Sequence, residues 1–151
     1  MNFIKHFYSK TLKYELLNKF LYKDIKKIPQ IKKIILNFGC KNLELKHLAA
    51  SLLALELITT QKGTLTITKH SNILLKIRKG NPTGCKVTLR KNNMFNFFSK
   101  SLIEIFPKQK DFTGFNISKK IKNNVFSYTL DNTFNFNQLK NQYRYFLSPH
   151  P

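Results

Sequence analysis

The chain has 151 residues and sets 27 Lys and Arg against 7 Asp and Glu, a formal net charge of +20. That length suits one domain, able to bury a core without disulfides or a structural metal. So many like charges repel one another in a compact fold, which points to an acidic partner: nucleic acid first, because neutralised phosphates release counterions, a membrane surface second, and a merely basic soluble protein as the plain alternative.

In chain order, Thr11 to Tyr22 reads as a helix with Leu12, Leu16, Leu17, Phe20 and Leu21 on one face. Pro29 breaks that pattern. Lys33 to Phe38 reads as a strand in which Ile34, Leu36 and Phe38 alternate with Lys33, Ile35 and Asn37, and Gly39 ends it. Leu45 to Thr59 is the clearest helix, with Leu45, Leu48, Ala49, Leu52, Leu55 and Ile58 as its apolar stripe. Gly63 leads into Thr64 to Thr68, where threonines alternate with Leu65 and Ile67 in a half-polar strand.

Leu74 to Lys79 and Lys86 to Arg90 flank the run GNPTG, Gly80 to Gly84. Two glycines and a proline in so short a run predict a tight reversal, hence a hairpin-like arm. Asn93 to Phe106 reads as a third helix, with Met94, Phe95, Phe98, Leu102 and Ile105 inward and Pro107 as its stop. Lys108 to Asn124 is polar and basic and reads as a surface loop; Val125 to Leu130 reads as a fourth strand. The expected division is one domain over residues 1–136 and a C-terminal tail over 137–151, without internal repeats. The expected fold class is α+β, an antiparallel sheet backed by helices on one face.

Each strand pairs an apolar face with a polar or basic one. The polar faces carry Lys33 and Asn37; Thr64, Thr66 and Thr68; Lys76 and Arg78; Lys86, Thr88 and Arg90. In one sheet with helices on its apolar side, these residues share the open side. There hydroxyls and amides can bond sugar and phosphate oxygens while cations supply attraction. The competing explanation is β-propensity of Thr and solvation of Lys. The stretch from Lys69 to Arg90 holds Lys69, Lys76, Arg78, Lys79, Lys86 and Arg90 and no acidic residue. His70 lies in this basic arm and suits RNA contact better than metal. Gly80 and Gly84 permit close backbone approach to a phosphate, or form an ordinary turn.

Catalytic signals are thin. Glu15, Asp24, Glu44, Glu56, Glu104, Asp111 and Asp131 make no close pair of the kind that two-metal or glycosidase chemistry needs. Cys40 and Cys85 form no CxxC motif, so no disulfide framework or zinc site is expected. No nucleotide-binding glycine motif occurs, and no cofactor or metal is expected. No apolar run approaches the ~18 residues of a membrane helix.

The segments IPQIKKIILNFG (Ile28 to Gly39), LELITTQKGTLTITK (Leu55 to Lys69) and ILLKIRKGNPTGCKVTLR (Ile73 to Arg90) appear in an order that resembles ribosomal protein five of the large subunit. The resemblance continues through Asn93 to Phe115 and Val125 to Phe136, and the basic run ending VTLR before an aromatic helix is its most specific part. It implies an antiparallel sheet backed by helices in the central protuberance. It also implies binding to 5S ribosomal RNA, or to large-subunit ribosomal RNA where 5S is absent. An arm would reach peptidyl-site transfer RNA, and contacts would extend to small-subunit protein thirteen and to neighbouring central-protuberance proteins. Carried over, Lys33, Asn37, Thr66, Thr68 and Thr88 face ribosomal RNA, as do Asp111, Phe112 and Gly114 of a D-F-x-G loop. Lys69, Lys76, Arg78, Lys79, Gly80 and Gly84 belong to the transfer-RNA-facing arm.

The chain departs from the family pattern in three places, one of them Cys85, which replaces a small residue. The family's closing strand and helix are not expected here, which leaves a sheet edge for another chain to cover or for solvent. The turn FGCKN carries Cys40 where the family prefers glycine. The abundance of Lys, Asn, Ile and Phe matches AT-rich codons, so a mitochondrial ribosome is the expected location, with plastid or bacterial cytoplasm as alternatives. The rival function is a non-ribosomal organellar RNA-binding or maturase-like RNA-processing protein.

Overall fold

The computed structural model describes residues 3–39, 45–74, 77–109, 112, 114–115, 121–122, 124–130 and 133–141. Cys40, Lys76 and Asp111 lie outside the described residues.

Three strands form the main sheet: β1 (Ile34–Gly39), β2 (Thr64–Ile67) and β3 (Pro82–Leu89). Their order is β1-β3-β2 and both pairings are antiparallel. The strand signal comes from alternation. In β1 Ile34, Leu36 and Phe38 are half-buried while Ile35, Asn37 and Gly39 are exposed. In β3 Cys85, Val87 and Leu89 are buried to 2% exposure or less, whereas Lys86 between them is exposed. One face is therefore core and the other open, as a sheet covered on one side requires.

The covering layer is helical. Helix α1 runs over residues 3–20 as three consecutive segments, Phe3–Phe7, Tyr8–Leu12 and Lys13–Phe20, the middle one wound as a π-helix. It begins earlier than expected, because nothing in FIKHFYSK breaks a helix. It also ends earlier, where Leu21 takes a left-handed φ of 47°. That turn leaves Phe20 56% and Leu21 82% exposed, although the apolar periodicity predicts both on the inward face. The Tyr8 hydroxyl donates to the Pro29 carbonyl at 2.8 Å and ties α1 to the approach to β1.

Helix α2 (Leu45–Thr59) lies against β3 and has the expected bounds. Leu48, Ala54, Leu55 and Ile58 are buried. Leu45, the first helical residue, is 80% exposed, and Ala49 is exposed as well. The expected stripe is thus too wide for the one face that meets the sheet. The Cys85 thiol packs under α2, 3.2 Å from the Ser51 hydroxyl, and donates to the Leu48 carbonyl at 3.7 Å.

Helix α3 comprises Lys91–Lys100 and a π-wound continuation, Ser101–Ile105. Its buried face is Met94, Phe97, Ser101 and Ile105. Phe95 and Phe98, expected inward, are only half-buried and Leu102 is 38% exposed. A helical phase started at Met94 returns at positions 97, 101 and 105, so geometry overrides residue type. Ser101 is accommodated because its hydroxyl donates to the Phe97 carbonyl at 2.9 Å.

A single core joins α2, α3 and the sheet and includes Leu55, Val87, Leu89, Met94, Ile105, Phe136 and Leu139. Leu139 sits in a short helix α4 (Asn137–Lys140) and is 2% exposed, and Phe97 stacks on Phe136 with centroids 6.2 Å apart. Leu139, beyond the expected boundary at residue 136, thus packs in this core.

The expected fourth strand is reduced to β5 (Val125–Phe126), paired with β4 (Ile121–Lys122) in a ribbon separate from the main sheet. The expected surface loop before it is not wholly polar. Phe112 and Phe115 join Phe106, Phe126 and Tyr128 in an aromatic cluster with centroid separations of 4.8–5.5 Å. The Phe106–Phe112 pair is stacked and the other contacts are edge-to-face.

Candidate nucleic-acid interface

The open face is defined by register. Asn37 lies opposite Lys86, and Lys86 lies opposite Thr64, so amide, ammonium and hydroxyl form one row across all three strands. The next row is Gly39, Gly84 and Thr66, and Ile35 pairs with Thr88 on the other side. Asn37, Lys86 and Thr64 are exposed, while Thr66 and Thr88 are half-buried or better exposed to the same side. The Thr64 hydroxyl donates to the Lys86 carbonyl at 3.2 Å, which holds β2 against β3. Lys33 is exposed one residue ahead of β1, and Arg90 is exposed one residue beyond β3. Among the described residues no ion pair engages Lys86, Arg78 or Lys79; the pair Lys27–Asp24, at 3.1 Å, lies elsewhere.

Gly84 is corrected in both place and role. The sequence reading puts it in the arm, yet it occupies β3, the central strand, between Gly39 and Thr66. A Cβ there would collide with the Phe38 carbonyl oxygen and lie 3.0 Å from Thr66 Oγ1. Glycine is needed so that β1 and β2 can close on β3. Gly39 beside it has open space, since a Cβ there would meet nothing within 4 Å.

The GNPTG run does not form a hairpin between its own flanks. Pro82 opens β3, the strand position where a missing N–H costs least. The reversal lies before it: Gly80 has φ +91° and donates its N–H to the Thr68 carbonyl at 3.1 Å. The hairpin is β2–β3, and residues 68–81 form its projecting arm. Thr68 follows a register irregularity at Thr66/Ile67. Its hydroxyl lies 2.8 Å from the Arg78 carbonyl and 3.1 Å from that of Asn81. It therefore clasps the arm's base, whereas alternation alone puts it on the sheet face. Farther out Asn72 and Ile77 exchange both backbone bonds, at 2.9 and 3.0 Å. Lys69, His70, Arg78, Lys79 and Gly80 are all exposed along this arm.

Of the D-F-x-G loop, Phe112 is half-buried and stacks on Phe106 at 5.3 Å. Its ring is thus committed to the aromatic cluster. Gly114 is exposed with φ +118°. Sequence reasoning misses Gly39 as a member of the open face; the pairing with Gly84 reveals it. Among the described residues no three His, Cys, Asp or Glu side chains gather as a metal site would require. Among the same residues no helix is long and apolar enough to cross a membrane.

The chain is an α+β domain with one helix-covered sheet face, one open polar face and a basic hairpin arm, and it is similar in sequence to ribosomal L5 proteins. Residues 82–147 match the model of the ribosomal L5 family C-terminus. The chain is 44% identical over 116 residues to the large ribosomal subunit protein uL5m of Reclinomonas americana, covering 76% of this chain and 64% of that protein. It is 40% identical over 113 residues to uL5 of Clostridium acetobutylicum (74% and 63% covered). It is 43% identical over 110 residues to uL5 of Wigglesworthia glossinidia brevipalpis (72% and 62% covered). The chain thus spans somewhat less than two thirds of the length of these relatives, and the similarity covers 72–76% of its own length.

Proposed function

We propose that the chain is a structural, non-enzymatic constituent of the large ribosomal subunit that holds RNA on the open face of its sheet. The observation that carries this reading is the row Asn37–Lys86–Thr64, three polar groups in register on the face turned away from the core. Phosphate and sugar contacts made by such groups fix position on RNA without reading sequence. The RNA is 5S ribosomal RNA where the ribosome has one, and otherwise large-subunit ribosomal RNA of the central protuberance. Lys33, Thr66, Thr88 and Arg90 extend the same surface. The arm, with Lys69, His70, Lys76, Arg78 and Lys79, turns toward peptidyl-site transfer RNA, and contacts with small-subunit protein thirteen and neighbouring proteins complete the setting. Similarity to uL5m supports a mitochondrial ribosome.

The test is sedimentation of the tagged chain from its native source, followed by crosslinking and sequencing of bound RNA. Co-migration with the large subunit and crosslinks to its RNA are expected. A chain that stays in the light fractions, or crosslinks to unrelated transcripts, overturns the reading.

A further inference from the structure

The helical layer, on the far side of the sheet from the open face, carries a cleft of about 420 Å³ between the start of α1, the end of α2 and α3. Its floor is Ile58 and Phe97, 5% and 8% exposed. One wall is Phe3, whose ring stacks on Phe7 with centroids 6.0 Å apart and yet stays 73% exposed. The rim is Asn93, Asn96 and Lys100. Their spacing of three and four residues puts them on one side of α3. Thr59 and Thr60 also line the cleft, but their hydroxyls donate to the Leu55 and Thr59 carbonyls, each at 2.7 Å. The polar groups that the rim presents are thus two carboxamides and one ammonium.

This lining selects the occupant. The chain as a whole carries a net charge of +20, yet the cleft holds one cation and, among the described residues, no carboxylate. A nucleic acid is held by several cations at once, so it suits the open face and the arm better than this cleft. A carboxamide both donates and accepts, which matches the N–H and C=O of a peptide backbone. An apolar floor inside a polar rim is the form of a pocket that takes a protein anchor side chain. Lys100 adds attraction for a carboxylate beside that anchor. A second copy of this chain is a poor occupant, because it would bring the same large positive charge against the first.

We infer that this cleft binds a segment of a partner protein through one large apolar side chain, inserted against Ile58, Phe97 and Phe3. Asn93 and Asn96 bond the segment's backbone, and Lys100 pairs with an acidic residue next to the anchor. The partner meets the helical layer while the opposite sheet face stays open. The inference does not depend on which nucleic acid the sheet holds.

The first experiment titrates the full chain with the peptide acetyl-Glu-Leu-Phe-Glu-amide as probe and follows backbone amides by NMR. Saturable shifts at Phe3, Thr60, Asn93 and Lys100 are expected, and none with acetyl-Glu-Ala-Ala-Glu-amide. Phe3 and Lys100 are exposed, so Phe3→Ala and Lys100→Gln leave the fold intact. Phe3→Ala should weaken binding on the order of tenfold at every salt concentration. Lys100→Gln should weaken it at low salt only, since screening removes an exposed charge pair. No saturable shift, equal shifts with the alanine peptide, or stronger shifts of the same amides with an oligouridylate overturns the inference. The second experiment places a photoreactive phenylalanine at Asn92, exposed beside the rim, and separately at Lys86, in the full chain within its native particles. The adduct at 92 should be a protein segment with a large apolar residue next to Asp or Glu. RNA at 92, or no adduct there, overturns the cleft whatever position 86 reports. A missing RNA adduct at 86 counts against the RNA-binding reading and leaves the cleft standing.

Discussion

Gly84→Ala tests the geometry of the open face most directly. In an ordinary strand the change would help, because glycine loses more chain entropy on folding, by about 0.5–1 kcal/mol. Here the added methyl would collide with the Phe38 carbonyl oxygen, a backbone atom held by the β1–β3 ladder. It would also meet Thr66 Oγ1 at 3.0 Å. Relief requires β1 and β2 to part from β3, an overpacking cost of about 1–3 kcal/mol. Spread over a domain of this size, each kcal/mol lowers Tm by roughly 2–4 °C. Gly39→Ala is the matched control: it lies directly across from Gly84, yet its Cβ would meet nothing within 4 Å. Thermal denaturation followed by circular dichroism should show Gly84→Ala melting several degrees below wild type and Gly39→Ala at or slightly above it. Gly84→Ala equal to wild type would mean that the three strands do not approach as described.

The remaining predictions concern charge, division of labour and one tyrosine. RNA affinity should fall steeply with salt: roughly 6–10 phosphate contacts imply a loss on the order of 10³–10⁵ between low and moderate salt, and a flat response in a filter-binding series would remove the electrostatic argument. Replacing Arg78 and Lys79 with Ala should change stability by under about 0.5 kcal/mol, as exposed side chains do, and should lower transfer RNA occupancy in purified particles while incorporation is preserved. Replacing Asn37, Thr66 and Thr88 should instead reduce incorporation; the opposite pattern would show that the two surfaces are assigned the wrong way round. Burial pushes the Tyr8 phenol above its usual value of 10.0, so ionisation is harder in the folded state. Its contribution to stability is complete below pH 10 and is lost as pH rises through the folded value; denaturation midpoints of wild type and Tyr8→Phe should therefore converge in strongly alkaline buffer, and a constant gap would refute this.

Much of this protein is legible in the chain itself. Alternation places β1, because a pleated strand repeats every second residue and one face must leave water, whereas in β2 the apolar Leu65 and Ile67 stay 48% and 64% exposed. Leu45–Thr59 is found to the residue, because a long apolar helix has few alternatives. The motif order points to an α+β fold with a helix-backed antiparallel sheet from the sequence alone. Tertiary structure decides what depends on partners distant in sequence. Thr68 obeys the same alternation as Thr64 and Thr66, yet the Arg78 and Asn81 carbonyls draw its hydroxyl to the arm. Gly84 reads as a turn glycine beside Pro82, yet the approach of Phe38 and Thr66 makes it the narrow point of the sheet. Phe112 and Phe115 read as surface residues in a basic loop until Phe106 and Tyr128 come within 5.5 Å of them. Local periodicity determines which side of an element faces inward; which groups meet there, and whether a glycine or hydroxyl remains free for a ligand, is settled only when separate elements pack.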